Sequence, residues 1–151
     1  METSNTKNTA ALIHLSTLSQ YIIPFGNYIL PIVIWSTTKD KSEFINSQGK
    51  QAINFQISLF LYSLILFMIA IPILLITVFH NVSMVTVFNS EDWIFKNFSL
   101  GNISGIVAVA IIAVLIFCLL KVAEFFLIIY ASVKSSNGEN FKYPLTIPFL
   151  K

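Results

Sequence analysis

Residues 103–133 read ISGIVAVAIIAVLIFCLLKVAEFFLIIYASV, and this stretch decides the class of fold. It is a continuous apolar helix pattern interrupted only by Lys121 and Glu124. A charge near a bilayer centre costs about 2.5–3.5 kcal/mol on insertion scales, so charges at that depth face protein or a water-filled cavity. The i, i+3 spacing puts both on one helix face, where they can neutralise each other. Another part of the folded chain must receive that face. The stretch therefore predicts a polytopic membrane protein with an internal polar site.

Composition points the same way. Of 151 residues, 56% are hydrophobic and 11% charged, with a mean hydropathy of +0.79. Ordinary soluble domains carry roughly 25% charged residues. So few charges cannot cover the surface of a soluble chain this short. All nine basic residues are lysines, and a net charge of +2 gives no footprint for nucleic acid. Cys118, the single cysteine, lies in an apolar run, which leaves neither a disulfide framework nor a thiolate metal site. The start, Met-Glu-Thr-Ser-Asn-Thr-Lys, lacks a strongly basic region, so no cleaved signal peptide is expected.

The expected fold is all-α, in a single membrane domain: two full transmembrane helices, residues 43–79 and 103–135, and a broken N-terminal helix, residues 10–37. A short tail, residues 1–9, precedes them. Pro24-Phe25-Gly26-Asn27 interrupts the first segment and Pro31 follows. Proline removes a donor and disfavours helix in the residue before it. About 14 apolar residues precede the break and about 10 follow it, whereas a bilayer core needs roughly 20. The segment is either one broken span or a re-entrant hairpin. Irregular backbone at membrane depth must be buried in protein or line a cavity, which makes Pro24, Gly26 and Asn27 a candidate functional break as well as a kink. Pro72 predicts a second kink, and Asn137-Gly138 a helix stop. Residues 80–102 read as an outer amphipathic loop, with Ser90 capping a short interfacial helix through Trp93 and Phe95. In the tail, residues 136–151, Phe141, Tyr143, Leu145, Ile147 and Phe149 alternate with polar residues or proline. That predicts an extended segment with one apolar face, lying along the cytoplasmic interface or folded back against the loop around Phe44 and Ile45, the alternative being a tail resting on lipid headgroups.

Lysines orient the segments. Lys39, Lys41 and Lys50 follow the first, Lys134, Lys142 and Lys151 follow the last, and the intervening loop holds only Lys96. The positive-inside rule makes the first loop and the C-terminus cytoplasmic, in a multi-pass protein of the cell's inner membrane.

Segment two carries its own polar stripe of Gln51, Asn54, Ser58 and Tyr62 on one face. Counted inward from Lys50, Ser58 lies about 12 Å deep and Tyr62 about 18 Å. Counted from Lys134, Glu124 lies about 15 Å deep and Lys121 about 20 Å. Packed antiparallel, the two helices would set these hydroxyls beside the charge pair, with His14, Thr17, Gln20 and Tyr21 as a third wall. The intramembrane polar site is thus Lys121, Glu124, Ser58, Tyr62, Asn54 and His14. It serves as a relay for protons or ions, as a polar crevice for a peptide or lipid headgroup, or, with Lys121 snorkelling or paired, as interhelical hydrogen-bond glue. His80, Glu91 and Asp92 have no metal-ligand spacing, and there is no protease helix motif, nucleophile elbow or phosphate loop. Neither metal, cofactor nor enzymatic activity is expected. Asn81, Asn97 and Asn102 head glycosylation-type triplets on the outer side.

Three stretches carry a family pattern: Leu12-Ile-His-Leu-Ser-Thr-Leu-Ser with Tyr21-Ile-Ile-Pro-Phe-Gly-Asn27; Phe44-Ile-Asn-Ser-Gln-Gly-Lys-Gln-Ala-Ile-Asn-Phe-Gln56; and Asn137-Gly-Glu-Asn-Phe-Lys-Tyr-Pro-Leu-Thr-Ile147. Over residues 10 to 150 they resemble a family of small bacterial membrane proteins of unknown function. That family is distantly similar to the Tic channel component of the chloroplast inner-envelope protein translocon. Where the family has His-Gly-Lys-Glu-Ala, this chain has Gln48-Gly-Lys-Gln-Ala52, and the outer loop is longer. The resemblance implies a helical membrane domain and a remote association with protein translocation. The expectation is a non-enzymatic accessory or translocation-related subunit in the lipid bilayer, partnered by a second copy or another membrane protein. The alternative is a small ion or solute transporter or channel built on the Lys-Glu site.

Overall fold

The computed structural model describes residues 3–81 and 105–151. The described residues form helices and turns with no strand: α1 (Ser4–Ser16), a 3-10 turn (Thr17–Tyr21), α2 (Gly26–Thr38), a 3-10 turn (Lys39–Lys41), α3 (Glu43–Asn81) and α4 (Gly105–Ser136). The outer loop expected at residues 80–102 lies almost wholly outside the described residues. So do Ser90, Glu91, Asp92, Trp93 and the triplets at Asn97 and Asn102.

Local chemistry sets the helix ends. The Thr3 hydroxyl accepts from the Thr6 amide at 3.3 Å, capping α1. α4 stops where Gly138 takes φ 83, with Glu139 N–H bonded to Lys134 O and Gly138 N–H to Ser135 O, both at 3.0 Å. This is the paired closure that glycine permits at a helix end. The break in the first segment falls one step earlier than Pro24, Gly26 and Asn27 imply. Residues 22–25 form it, with Phe25 at φ 61, while Gly26 and Asn27 already belong to the first turn of α2. Gly26 is needed there because an added Cβ would meet Ser19 backbone at 2.9 Å.

The chain divides into two compact units, Met1–Leu61 with Leu120–Lys151, and Tyr62–Leu119. The division passes through the interior of both long helices, so no linker in the sequence marks it.

In the first unit α1 and α2 form a hairpin, which decides between the two readings of the broken segment. The Lys7 stem lies over Gly138, Ser132 Oγ donates to Ala11 O at 3.2 Å, and Gln20 reaches Glu124. α1 thus runs antiparallel along α4. On the return, Asn27 bonds Gln56, and Trp35 meets Asn46 and packs on Gly49. α2 thus runs antiparallel along α3. A straight broken span could not put Ile13 into one core with Ile34 and Trp35, yet these residues pack together with Ile45 and Ala52.

In the second unit Phe67 and Phe117 pack with ring centroids 4.8 Å apart, beside buried Ala70, Ala110 and Ala113. Glu43–Ile76 and Ala108–Ser136 are long and apolar enough to cross a membrane. Most of their large apolar side chains are exposed, Met68 at 69% and Leu119 at 68%. Helices apolar all round but uncovered by protein have lipid as their solvent. The protein is a membrane protein.

Candidate functional site

The first unit stacks three polar groupings between the hairpin, the long helices and the tail. At its base stands His14, fully buried. Gln48 Nε2 donates to Asn140 Oδ1 at 3.2 Å, which turns Gln48 Oε1 toward the imidazole, 3.1 Å from His14 Nε2. An amide oxygen can only accept, so Nε2 carries the proton and Nδ1 accepts from the Tyr143 hydroxyl at 2.9 Å. Ser135 Oγ donates to the same Gln48 oxygen at 3.3 Å. One neutral imidazole thus joins α1, α3, α4 and the tail. Burial pushes the His14 pKa down to about 4, although the Gln48 bond works the other way. Burial, and secondarily the Glu124 charge, push the Tyr143 phenol up. The Tyr143 ring also stacks on Phe55 at 4.0 Å.

Next comes a clamp on the tail. Asn54 Oδ1 accepts from Leu150 N–H at 2.8 Å and Asn54 Nδ2 donates to Leu150 O at 3.0 Å. Ser58 Oγ accepts from Ile147 N–H at 2.8 Å and donates to Asn54 O at 2.7 Å. The polar stripe of segment two is therefore a receptor for tail backbone. This differs from the expected packing of five apolar side chains at period two. Pro144-Leu145 forms a turn with Leu145 at φ 57, which breaks the alternation. Phe141 and Tyr143 stay buried, whereas Leu145 is 75% and Phe149 47% exposed.

At the hairpin tip, Glu124 Oε1 accepts from Gln20 Nε2 at 2.9 Å and Oε2 from Lys121 Nζ at 2.8 Å. The carboxylate is completely shielded, and the lysine is 38% exposed. Asn27 Nδ2 donates to Gln56 Oε1 at 2.8 Å nearby, and the Tyr28 hydroxyl to Gln56 O at 3.3 Å.

The site residues read from the sequence thus separate. Lys121 and Glu124 pair with each other and with Gln20 of segment one. Asn54 and Ser58 hold the tail, because the hairpin, not α3, supplies the group facing the carboxylate. Tyr62 begins the second unit. His14 sits in the base network, whose other members Ser135, Asn140 and Tyr143 carry no sequence signal that links them to it. Pro24 lies in the break, and Asn27 reaches α3. Among the described residues, no group of three or more His, Cys, Asp or Glu could hold a metal ion.

The model of the MamF/MmsF family, described as the magnetosome magnetite crystal formation protein family, matches residues 5–150. The chain belongs to that family. Among curated proteins and solved structures, none matches. The match corrects the resemblance drawn from the three motif stretches. The family they identify is the magnetosome magnetite crystal formation family, and no likeness to the Tic translocon component accompanies it. The match takes in the hairpin, both long helices and the tail through Leu150, so all three polar groupings belong to the family's domain.

Proposed function

We propose that the chain is a non-enzymatic integral protein of a magnetosome membrane, supporting magnetite crystal formation as a structural or accessory component. The family match over residues 5–150 carries this reading. The geometry supports it, because the polar side chains of the first unit spend their bonding on one another: His14 on Tyr143 and Gln48, Asn54 on Leu150, Glu124 on Gln20 and Lys121. Such bonds hold a shape. The translocation expectation falls with the resemblance that carried it.

In this reading α3 and α4 cross the bilayer, and the hairpin enters and leaves on the face bearing Lys39, Lys41, Lys50 and the tail. The lysine distribution makes that face cytoplasmic. Its partners are lipid and either a second copy or another membrane protein. Deleting the gene in a magnetite-forming host and measuring crystal size by electron microscopy, with a tagged copy to follow location, tests the proposal. Altered crystals, and a tagged copy in the magnetosome membrane, are expected. Unchanged crystals with the copy elsewhere would overturn it.

Glu124 supports a second reading, an ion or solute path, since a shielded carboxylate sits at the tip of a hairpin. Replacing Lys121 and Glu124 together by leucine separates the two. A structural component keeps its fold and crystal phenotype, whereas a transporter loses flux in reconstituted vesicles.

A further inference from the structure

The hairpin has a tip as unusual as its base. Tyr21, Ile22, Ile23 and Phe25 are 60%, 85%, 49% and 69% exposed, in consecutive or nearly consecutive positions. In water such a patch would be a liability, but lipid is already the solvent of α3 and α4. The depth of the tip is set by its latch. Gln20 is bonded to Glu124, and ten helical residues separate Glu124 from Lys134, about 15 Å of rise. Half of a hydrocarbon core of about 30 Å is the same distance. Ala11 lies against Ser132, close to the lysine-bearing face, and Gln20, in the 3-10 turn beyond α1, against Glu124, so the first limb of the hairpin reaches from that face to the Glu124 level.

The geometry points to a protein that sorts by membrane curvature, through acyl chains of one leaflet gathered around the hairpin tip. This rests on the membrane placement given under the proposed function. Two helices that stop at the midplane add their cross-sections to the leaflet of the lysine-bearing face and to that leaflet alone. Each helix with its side chains is about 10–12 Å across. Inserting area into one leaflet relieves packing stress where that leaflet is convex, the same physics that makes interfacial helices curvature-sensitive. The tip residues are large and apolar and the turn contains no charge, so the occupant they fit is hydrocarbon.

The test uses the full chain in a Cys118→Ala background, dye-labelled at Lys142→Cys on the exposed side of the tail, in giant vesicles of phosphatidylcholine and phosphatidylglycerol. A narrow tube is drawn outward from each vesicle. An impermeant quencher distinguishes molecules whose lysine-bearing face points outward from those inverted. Outward-facing molecules should be enriched on the tube by about twofold or more and inverted ones depleted. Equal densities in both orientations would overturn the curvature inference and leave the hairpin standing. A second measurement places an environment-sensitive dye at Ile22→Cys and quenches it with lipids spin-labelled at different depths. Strongest quenching near the midplane is expected. Quenching from water, or shielding from water and lipid alike, would remove the lipid-seated tip, and the inference with it. Ile22→Asp with Phe25→Asp should lose sorting while melting as a folded protein. Retained sorting in that folded variant would overturn the role of the tip.

Discussion

At His14, burial and hydrogen bonding act on the same proton. The imidazole is neutral in the folded state down to about pH 4, while in the unfolded chain it protonates near 6.5. Between those values the unfolded state binds the extra proton, so stability is fully present above about 6.5 and lost as pH falls toward 4. The whole effect is on the order of 3 kcal/mol. Melting in detergent should show that slope, and His14→Gln should flatten it. Glu124 makes a different prediction. Removing it alone takes away the carboxylate that Lys121 and Gln20 both bond; breaking a fully buried pair costs about 3–5 kcal/mol in soluble proteins, an upper bound here because Lys121 is 38% exposed. The Lys121→Leu, Glu124→Leu double variant should melt higher than Glu124→Ala. Additive single-variant effects would show that the two side chains do not act as a pair. The charge pair was legible in the sequence because two ionisable residues stand out in an apolar run. The partners of His14 were not, since Gln48 and Tyr143 are 34 and 129 residues away.

The tail shows what pattern reading captures and misses at the level of elements. Alternation suggested an extended segment with one apolar face, along the interface or folded back toward Phe44 and Ile45. It missed that side-chain amides and hydroxyls of α3 would take the tail by its backbone, because a backbone partner leaves no trace in side-chain identity. Asn54→Ala removes both bonds to Leu150 and leaves a partly buried peptide group unpaired by that side chain, at a cost of about 1 kcal/mol or somewhat more. Proteolysis near residue 150 should accelerate in that variant, and deletion of residues 141–151 should lower the melting temperature further. An unchanged melting curve for the deletion would mean the tail adds nothing to the fold. For the first segment, the sequence correctly signalled a break but not its direction. Proline and glycine fix where a helix stops, whereas contacts with α3 and α4 decide that the chain folds back.

Over the whole molecule, the hairpin of α1 and α2 and then the pair α3 and α4 each return the chain to the face it left. In a Cys118→Ala background, cysteines at Thr3, Ser42 and Asn140 should therefore react together or be protected together from an impermeant thiol reagent in sealed vesicles. Opposite behaviour at Thr3 would require the first segment to cross. The same architecture carries an optical gauge of its own integrity. The indole of Trp35 rests on Gly49 and donates to Asn46 Oδ1 at 3.1 Å, at the root of the hairpin. The chain has only one other tryptophan, Trp93. A Trp93→Phe protein is thus a single-fluorophore instrument, whose emission reddens when the root of the hairpin loosens into water and holds its colour when only the far end moves.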